Sequence, residues 1–180
     1  MFDFLRIVNF EHRVSRDYQP PSLVEVVNRE NNVVQIHEVV WENFRQMVNE
    51  GVKEGQFFDL TSGYRSFEHQ QRTLNAIVAE KGKSVIGKKV AIPGTSEHQI
   101  GLAIDVSNFT SDGKMRSDVN RFDWMHEHCY EYGFIVRYKS EFEKVTGITF
   151  EPWHLRYVGV EHATQIRDMN IALEEYVTLL

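Results

Sequence analysis

Cysteine is almost missing from this chain: Cys129 is the only one in 180 residues. An intrachain disulfide is therefore excluded, and a lone thiol fits a reducing compartment. A chain of this length buries enough apolar surface to fold without covalent staples. Runs of one charge are missing too. The net charge is −6 and the pI about 5.8, and no Lys/Arg stripe is present. Nucleic acid and anionic membrane are excluded as expected partners on that ground. No stretch approaches the ~20 apolar residues that a membrane helix needs. The opening MFDFLRIVNFEHR is broken by Asp3 and Arg6, and no small-residue cleavage site follows. It does not read as a secretion signal, so the chain is expected in the cytoplasm. Repeats, low-complexity tracts and long linkers are also lacking, which predicts one domain over residues 1–180.

What is present alternates between short strands and helices. Phe2 to Phe10 and Leu23 to Asn28 read as strands, parted by a turn at Pro20-Pro21. Glu30-Asn31-Asn32 is a second turn, and Val33 to Ile36 returns as a strand. Val39, Val40, Phe44, Met47 and Val48 recur at helical spacing over Glu38 to Glu50. Phe57 to Tyr64 is a strand that runs into a loop. Ser66 suits an N-cap, with Glu68 where the helix dipole favours an anion, and the helix it opens ends near Gly82. Residues 83–101 read as loop and Leu102 to Val106 as strand. Arg121 to Tyr132 reads as a helix stopped by Gly133. Phe134 to Tyr138 and Ile148 to Val158 read as strands, and Val160 to Leu180 as a helical tail broken near Asn170. Strands and helices mixed without strict βαβ alternation predict an α+β fold, a small antiparallel sheet covered by helices.

Three short segments carry chemistry. In Ser96-Glu97-His98-Gln99-Ile100-Gly101-Leu102-Ala103-Ile104-Asp105, a loop histidine precedes a carboxylate embedded in an apolar strand. Burying that carboxylate costs several kcal/mol unless a cation compensates it. Gly101 lets the backbone turn so that His98 and Asp105 converge. Glu151-Pro152-Trp153-His154 supplies a further carboxylate and imidazole three residues apart. His98, Asp105 and His154 form a His/Asp/His ligand set that leaves one tetrahedral zinc position open for water, as catalytic sites do. Glu151 remains as the carboxylate that takes the water's proton and returns it to the leaving amine. In Ser62-Gly63-Tyr64-Arg65-Ser66, Gly63 permits an unusual turn at the strand end. Arg65 then projects its guanidinium from a strand-to-helix junction, suited to a substrate carboxylate or a developing oxyanion.

Each residue alone has a structural reading. His98 could be a loop histidine, Asp105 a strand-end cap, His154 a core imidazole, Glu151 a surface partner of Arg156, and Arg65 a structural ion pair. Arg137-Tyr138 and Arg156-Tyr157 read as structural, outward arginines lying over aromatic bodies. His126-Glu127-His128-Cys129 looks rich in ligands, yet residues i and i+2 of a helix point apart and cannot chelate one ion.

The segments SGYRSFEHQ (62–70), PGTSEHQIGLAIDV (93–106), YGFIVRY (132–138), TGITFEPWHLRYVG (146–159) and LEEY (173–176) resemble, in order, the VanY/VanXY type of D,D-peptidase. That type is related to lysostaphin-like enzymes and hedgehog domains. The opening VNFEHRVSRDYQPP is similar to its first strand and turn, so the likeness spans nearly the whole chain. The resemblance implies one catalytic Zn2+ on His98, Asp105 and His154, Glu151 as catalytic base, and Arg65 polarising the scissile carbonyl. It further implies that Ser96 and Gln70 contact the substrate's terminal groups. The expected partner is a small peptide, D-Ala-D-Ala or the muramyl-pentapeptide precursor. The lack of an export signal points to the soluble VanXY kind, linked to glycopeptide resistance or to wall-precursor turnover. Three rivals stand beside it. One is a serine peptidase using Ser111-Asp112-Gly113-Lys114, whose Asp-Gly reads as a turn rather than a helix start. Another is a zinc-containing module without catalysis. The last is an L,D-carboxypeptidase or an L-Ala-D-Glu endopeptidase.

Overall fold

The computed structural model of the chain describes residues 3–110, 113, 115–116 and 122–180. Strands β1 (Leu23–Val27) and β2 (Val33–His37) pair antiparallel as a hairpin. The His37 ring then caps helix α1 (Glu38–Lys53), its Nδ1 accepting from the Val39 amide at 3.2 Å. Val40, Phe44 and Met47 recur at helical spacing on α1 and are buried in the main core with Ile36, Leu60, Ile104 and Val106. Helix α2 (Phe67–Lys81) begins at Ser66, whose hydroxyl accepts from the His69 amide, and stops at Gly82.

A five-stranded antiparallel sheet carries the functional side chains. Its order is β3 (Phe57–Ser62), β4 (Ala103–Phe109), β7 (His154–Tyr157), β6 (Phe134–Val136), with β5 (Met115–Arg116) paired to β4. Along β4, Ile104 and Val106 enter the core, so strand alternation turns Asp105 to the other face. Registry then sets Asp105 opposite His154 on β7 and opposite Ser62 on β3. Helices α3 (Asp123–His128) and α4 (Glu143–Thr146) fill the connections between strands. The tail forms α5 (Val160–Met169) and α6 (Leu173–Val177), parted at Asn170 in a left-handed conformation, φ 49°. Ile135, Val158, Ala163, Ile166, Leu173 and Tyr176 close a second core beneath that tail. The α+β architecture matches the expectation.

Some elements differ from their sequence pattern. Asp3 to Phe10 is a looped segment, not a strand. Its carbonyls at Phe4 and Arg6 accept from Arg156 Nη2 at 2.9 and 2.8 Å, which replaces a sheet ladder. Of Ile148 to Val158, only His154–Tyr157 is strand. Ahead of them Phe150 N donates to Glu143 Oε1, and Pro152 brings no amide to a ladder. The helix read from Arg121 is α-helical over Asp123–His128 and tightens to a 3-10 turn over Cys129–Tyr132. Two short 3-10 turns, Lys83–Val85 and Glu97–Ile100, punctuate the segment read as loop. Gly63 is required for a different reason than an unusual turn. A Cβ there would lie 2.3 Å from the Gln35 carbonyl oxygen, which accepts from the Tyr64 amide at 2.6 Å. The Ser62-Gly63-Tyr64-Arg65 turn is thus held against the hairpin by backbone contact.

Candidate metal centre and cleft

His98 sits in the 3-10 turn Glu97–Ile100, which ends at Gly101 in the left-handed conformation, φ 72°. The turn folds His98 back over the start of β4, as the sequence predicts. Its Nδ1 donates to the Gly63 carbonyl at 2.6 Å. A carbonyl only accepts, so the proton is fixed on Nδ1 and the Nε2 lone pair faces Asp105. His98 Nε2 lies 3.3 Å from Asp105 Oδ2 yet makes no hydrogen bond. On the other carboxylate oxygen, Asp105 Oδ1 meets His154 Nδ1 at 3.1 Å. The two rings stand edge to face, 5.0 Å between centroids. One donor atom each from His98, Asp105 and His154 falls within 4.8 Å of the others. The structure therefore unites the three residues that the spacing had selected.

Burial and close contact shift the protonation of all three residues. Burial and the nearby Arg65 push the His98 pKa down to about 4, so its imidazole is neutral. Burial opposes charge on His154 as well, but Asp105, Glu97 and Glu151 outweigh it and lift that pKa to about 9. Burial would raise Asp105 too, yet the His154 hydrogen bond and the Arg65 charge hold it well below the usual carboxylate range. His98, Asp105 and His154 thus bring two imidazoles and a carboxylate to one point, the donor types that zinc takes.

Glu151 Oε2 lies 3.9 Å from His154 Nδ1, close to the cluster but outside the three-donor set. Burial pushes its carboxyl up to about 7, against the pull of His154. Arg65 follows β3, its amide donating to the His98 carbonyl at 3.1 Å. Its Nη2 reaches Asp105 Oδ2 at 3.3 Å, while its buried Nε has no partner. Ser96 and Gln70 line the same cleft, whose volume is about 570 Å³. Gln70 faces inward from α2: its Nε2 donates to the Ala91 carbonyl at 2.9 Å and its buried Oε1 is unpartnered.

The chain matches the profile described as VanY, D-alanyl-D-alanine carboxypeptidase, over residues 33–160. It is 34% identical to the bifunctional D-Ala-D-Ala dipeptidase and carboxypeptidase VanXYC of Enterococcus gallinarum, across 96% of this chain and 92% of that one. It belongs to the VanY family. A D-alanyl-D-alanine carboxypeptidase of Enterococcus faecalis is 41% identical over 69% of this chain, which spans 48% of that relative's length. Among solved structures, a mutant of the vancomycin resistance D,D-pentapeptidase VanY in complex with Zn(II) superposes with a TM-score of 0.85. It is 33% identical, covering 96% of this chain and 98% of that one. The LdcB LD-carboxypeptidase superposes at 0.82 with 32% identity, covering 97% and 86%.

Within this VanY-family chain, several residues differ from their sequence reading. Arg137 and Arg156 are not outward. Both are fully buried, and each donates to Glu97 Oε1 at 2.8 Å. Glu151 consequently has no pairing with Arg156. His126 Nε2 bonds the Pro152 carbonyl and His128 Nδ1 bonds Glu131, so the two histidines part as helical geometry requires. Ser111, Asp112 and Lys114 of the S-x-x-K text match lie outside the described residues. Sequence reasoning passed over Glu97 and Tyr138, whose ring lies 4.8 Å from that of His154. It also passed over Trp153, exposed on the cleft. An acid directly beside a ligand-type histidine was the available signal for Glu97.

No helix among the described residues is long and apolar enough to cross a membrane.

Proposed function

We propose that this chain is a zinc-dependent D,D-peptidase acting on D-Ala-D-Ala or on the C-terminal D-Ala of wall-precursor pentapeptides. The convergence of His98 Nε2 and His154 Nδ1 on one Asp105 carboxylate carries the reading. The donor set fits zinc on two grounds: His98 is a neutral imidazole with its proton fixed elsewhere, and its Nε2 is buried without a hydrogen-bond partner. Zinc bound there supplies Lewis acidity, polarising a carbonyl and lowering the pKa of water towards ~7. Glu151 takes the proton of the attacking water. The C–O bond forms as water attacks; Glu151 then delivers that proton to the departing D-alanine amine as the peptide C–N bond breaks, leaving a carboxylate on the other product. A carboxyl pushed up to about 7 suits a group that must both accept and release a proton near neutrality. Arg65, with an unpartnered Nε, offers a cation to the substrate carboxylate or to the developing oxyanion. Ser96 and Gln70 line the wall where the substrate's terminal groups would rest. Such an activity removes the D-Ala-D-Ala end that glycopeptide antibiotics bind, and it equally serves turnover of wall precursors.

The test is release of free D-alanine from the dipeptide and from the muramyl-pentapeptide, with chelator and after zinc is restored. Chelator-sensitive release supports the proposal; full release under chelator overturns it. The likeness to LdcB favours a second reading, cleavage of an L,D bond. Faster D-alanine release from a tetrapeptide than from the pentapeptide would select it. Arg65→Ala is expected to keep zinc and a cooperative melt while kcat/KM falls by about 10²–10³, the range for loss of one oxyanion donor. Loss of the cooperative melt would instead assign Arg65 to the fold.

A further inference from the structure

Glu97 is the least exposed carboxylate near the cleft, 1% accessible, and nothing above gives it a part in the reaction. Its Oε1 accepts from Arg137 Nε and from Arg156 Nη1, both at 2.8 Å. Those arginines hold distant parts of the chain. Arg137 also pairs with Glu174 at the start of α6, and Arg156 binds the Phe4 and Arg6 carbonyls of the opening segment. Both guanidiniums bond to the same carboxylate oxygen; the second oxygen, Oε2, is buried without a hydrogen-bond partner. It lies 3.8 Å from His154 Nε2, which is buried and unpartnered as well. A lone acceptor and a lone donor facing each other at that distance mark a hydrogen bond one small ring shift from closure.

We propose that Glu97 is a positioning residue for the metal centre. It receives the Nε2 proton of His154, which fixes the tautomer that leaves Nδ1 free towards Asp105. The inference rests on the zinc reading above and deepens it. Arg137 and Arg156 set the carboxylate rigidly, so both ends of the chain brace one ligand of the site. The physical logic is that a ligand histidine is oriented by the partner of its other nitrogen, and loss of such a partner weakens metal affinity by about 10–100-fold.

The experiment measures zinc affinity by chelator competition on refolded apo-protein, without reference to turnover. Wild type, Glu97→Gln and Glu174→Gln are compared. Glu174→Gln weakens the same buried arginine network but removes no atom facing His154. Expected is a zinc Kd about 10–100-fold higher for Glu97→Gln and within about 3-fold of wild type for Glu174→Gln. Equal affinity of Glu97→Gln and wild type, or equal losses in both variants, overturns the inference. Wild type that binds no zinc overturns the metal reading itself, a separate outcome. Nitrogen-resolved NMR of zinc-loaded wild type covers the case in which Glu97→Gln does not fold. A protonated, exchange-protected Nε2 on His154 is expected, and a proton on Nδ1 instead overturns the proposal.

Discussion

Glu151→Gln is expected to leave zinc bound and to lower kcat by about 10²–10⁴, the span of a general acid–base contribution. In free energy that is about 3–5 kcal/mol of lost transition-state stabilisation, at ~1.36 kcal/mol per factor of ten. Glutamine keeps the shape of the side chain but neither takes nor returns a proton. Metal retention follows from placement: the three converging donors belong to His98, Asp105 and His154, and Glu151 stands 3.9 Å from the nearest of these rings. Zinc content by atomic absorption and kcat on D-Ala-D-Ala check the two halves separately. KM should move far less than kcat, because the lost function lies in the proton path and not in substrate contacts. Turnover within a few-fold of wild type would remove Glu151 from its assigned place. Loss of zinc together with turnover would make it a ligand instead.

The candidate site was legible because the two segments that build it are local. His98 and Asp105 lie seven residues apart around Gly101, and Glu151 and His154 lie within one turn of chain. Caps were legible for the same reason: Ser66, Gly82 and Asn170 act within their own helices. What sequence did not reveal is long-range. Arginine is rarely buried, so Arg137 and Arg156 read as surface residues. Their common partner, Glu97, lies 40 and 59 residues away in sequence. The apolar opening segment likewise read as a strand because nothing local says that Arg156, about 150 residues on, binds its carbonyls. Gly63 was correctly singled out, but its reason is the Gln35 carbonyl of another strand, which only the fold supplies. Local chemistry was thus readable, whereas the support that holds it in place was not.

Asp105→Asn is expected to abolish both zinc retention and activity, and heat can report it without an enzyme assay. A ligand that binds only the native state stabilises by RT ln(1 + [L]/Kd), about 2.7 kcal/mol at 100 times Kd. Among the described residues, Asp105 is the carboxylate on which both imidazoles converge, and asparagine keeps its size while removing the charge. If Kd rises about 100-fold, the lower bound expected when a direct ligand is lost rather than an outer partner, the same zinc concentration yields only about 0.4 kcal/mol. Wild type should therefore melt several degrees higher with zinc than with chelator, and Asp105→Asn should melt at nearly one temperature in both. His154→Ala is expected to behave alike, through loss of the second nitrogen. The comparison holds even if the variants are less stable from the start, because each is measured against itself with metal removed. A zinc-dependent rise in Asp105→Asn as large as in wild type would place the ion elsewhere and return Asp105 to a structural pairing with Arg65.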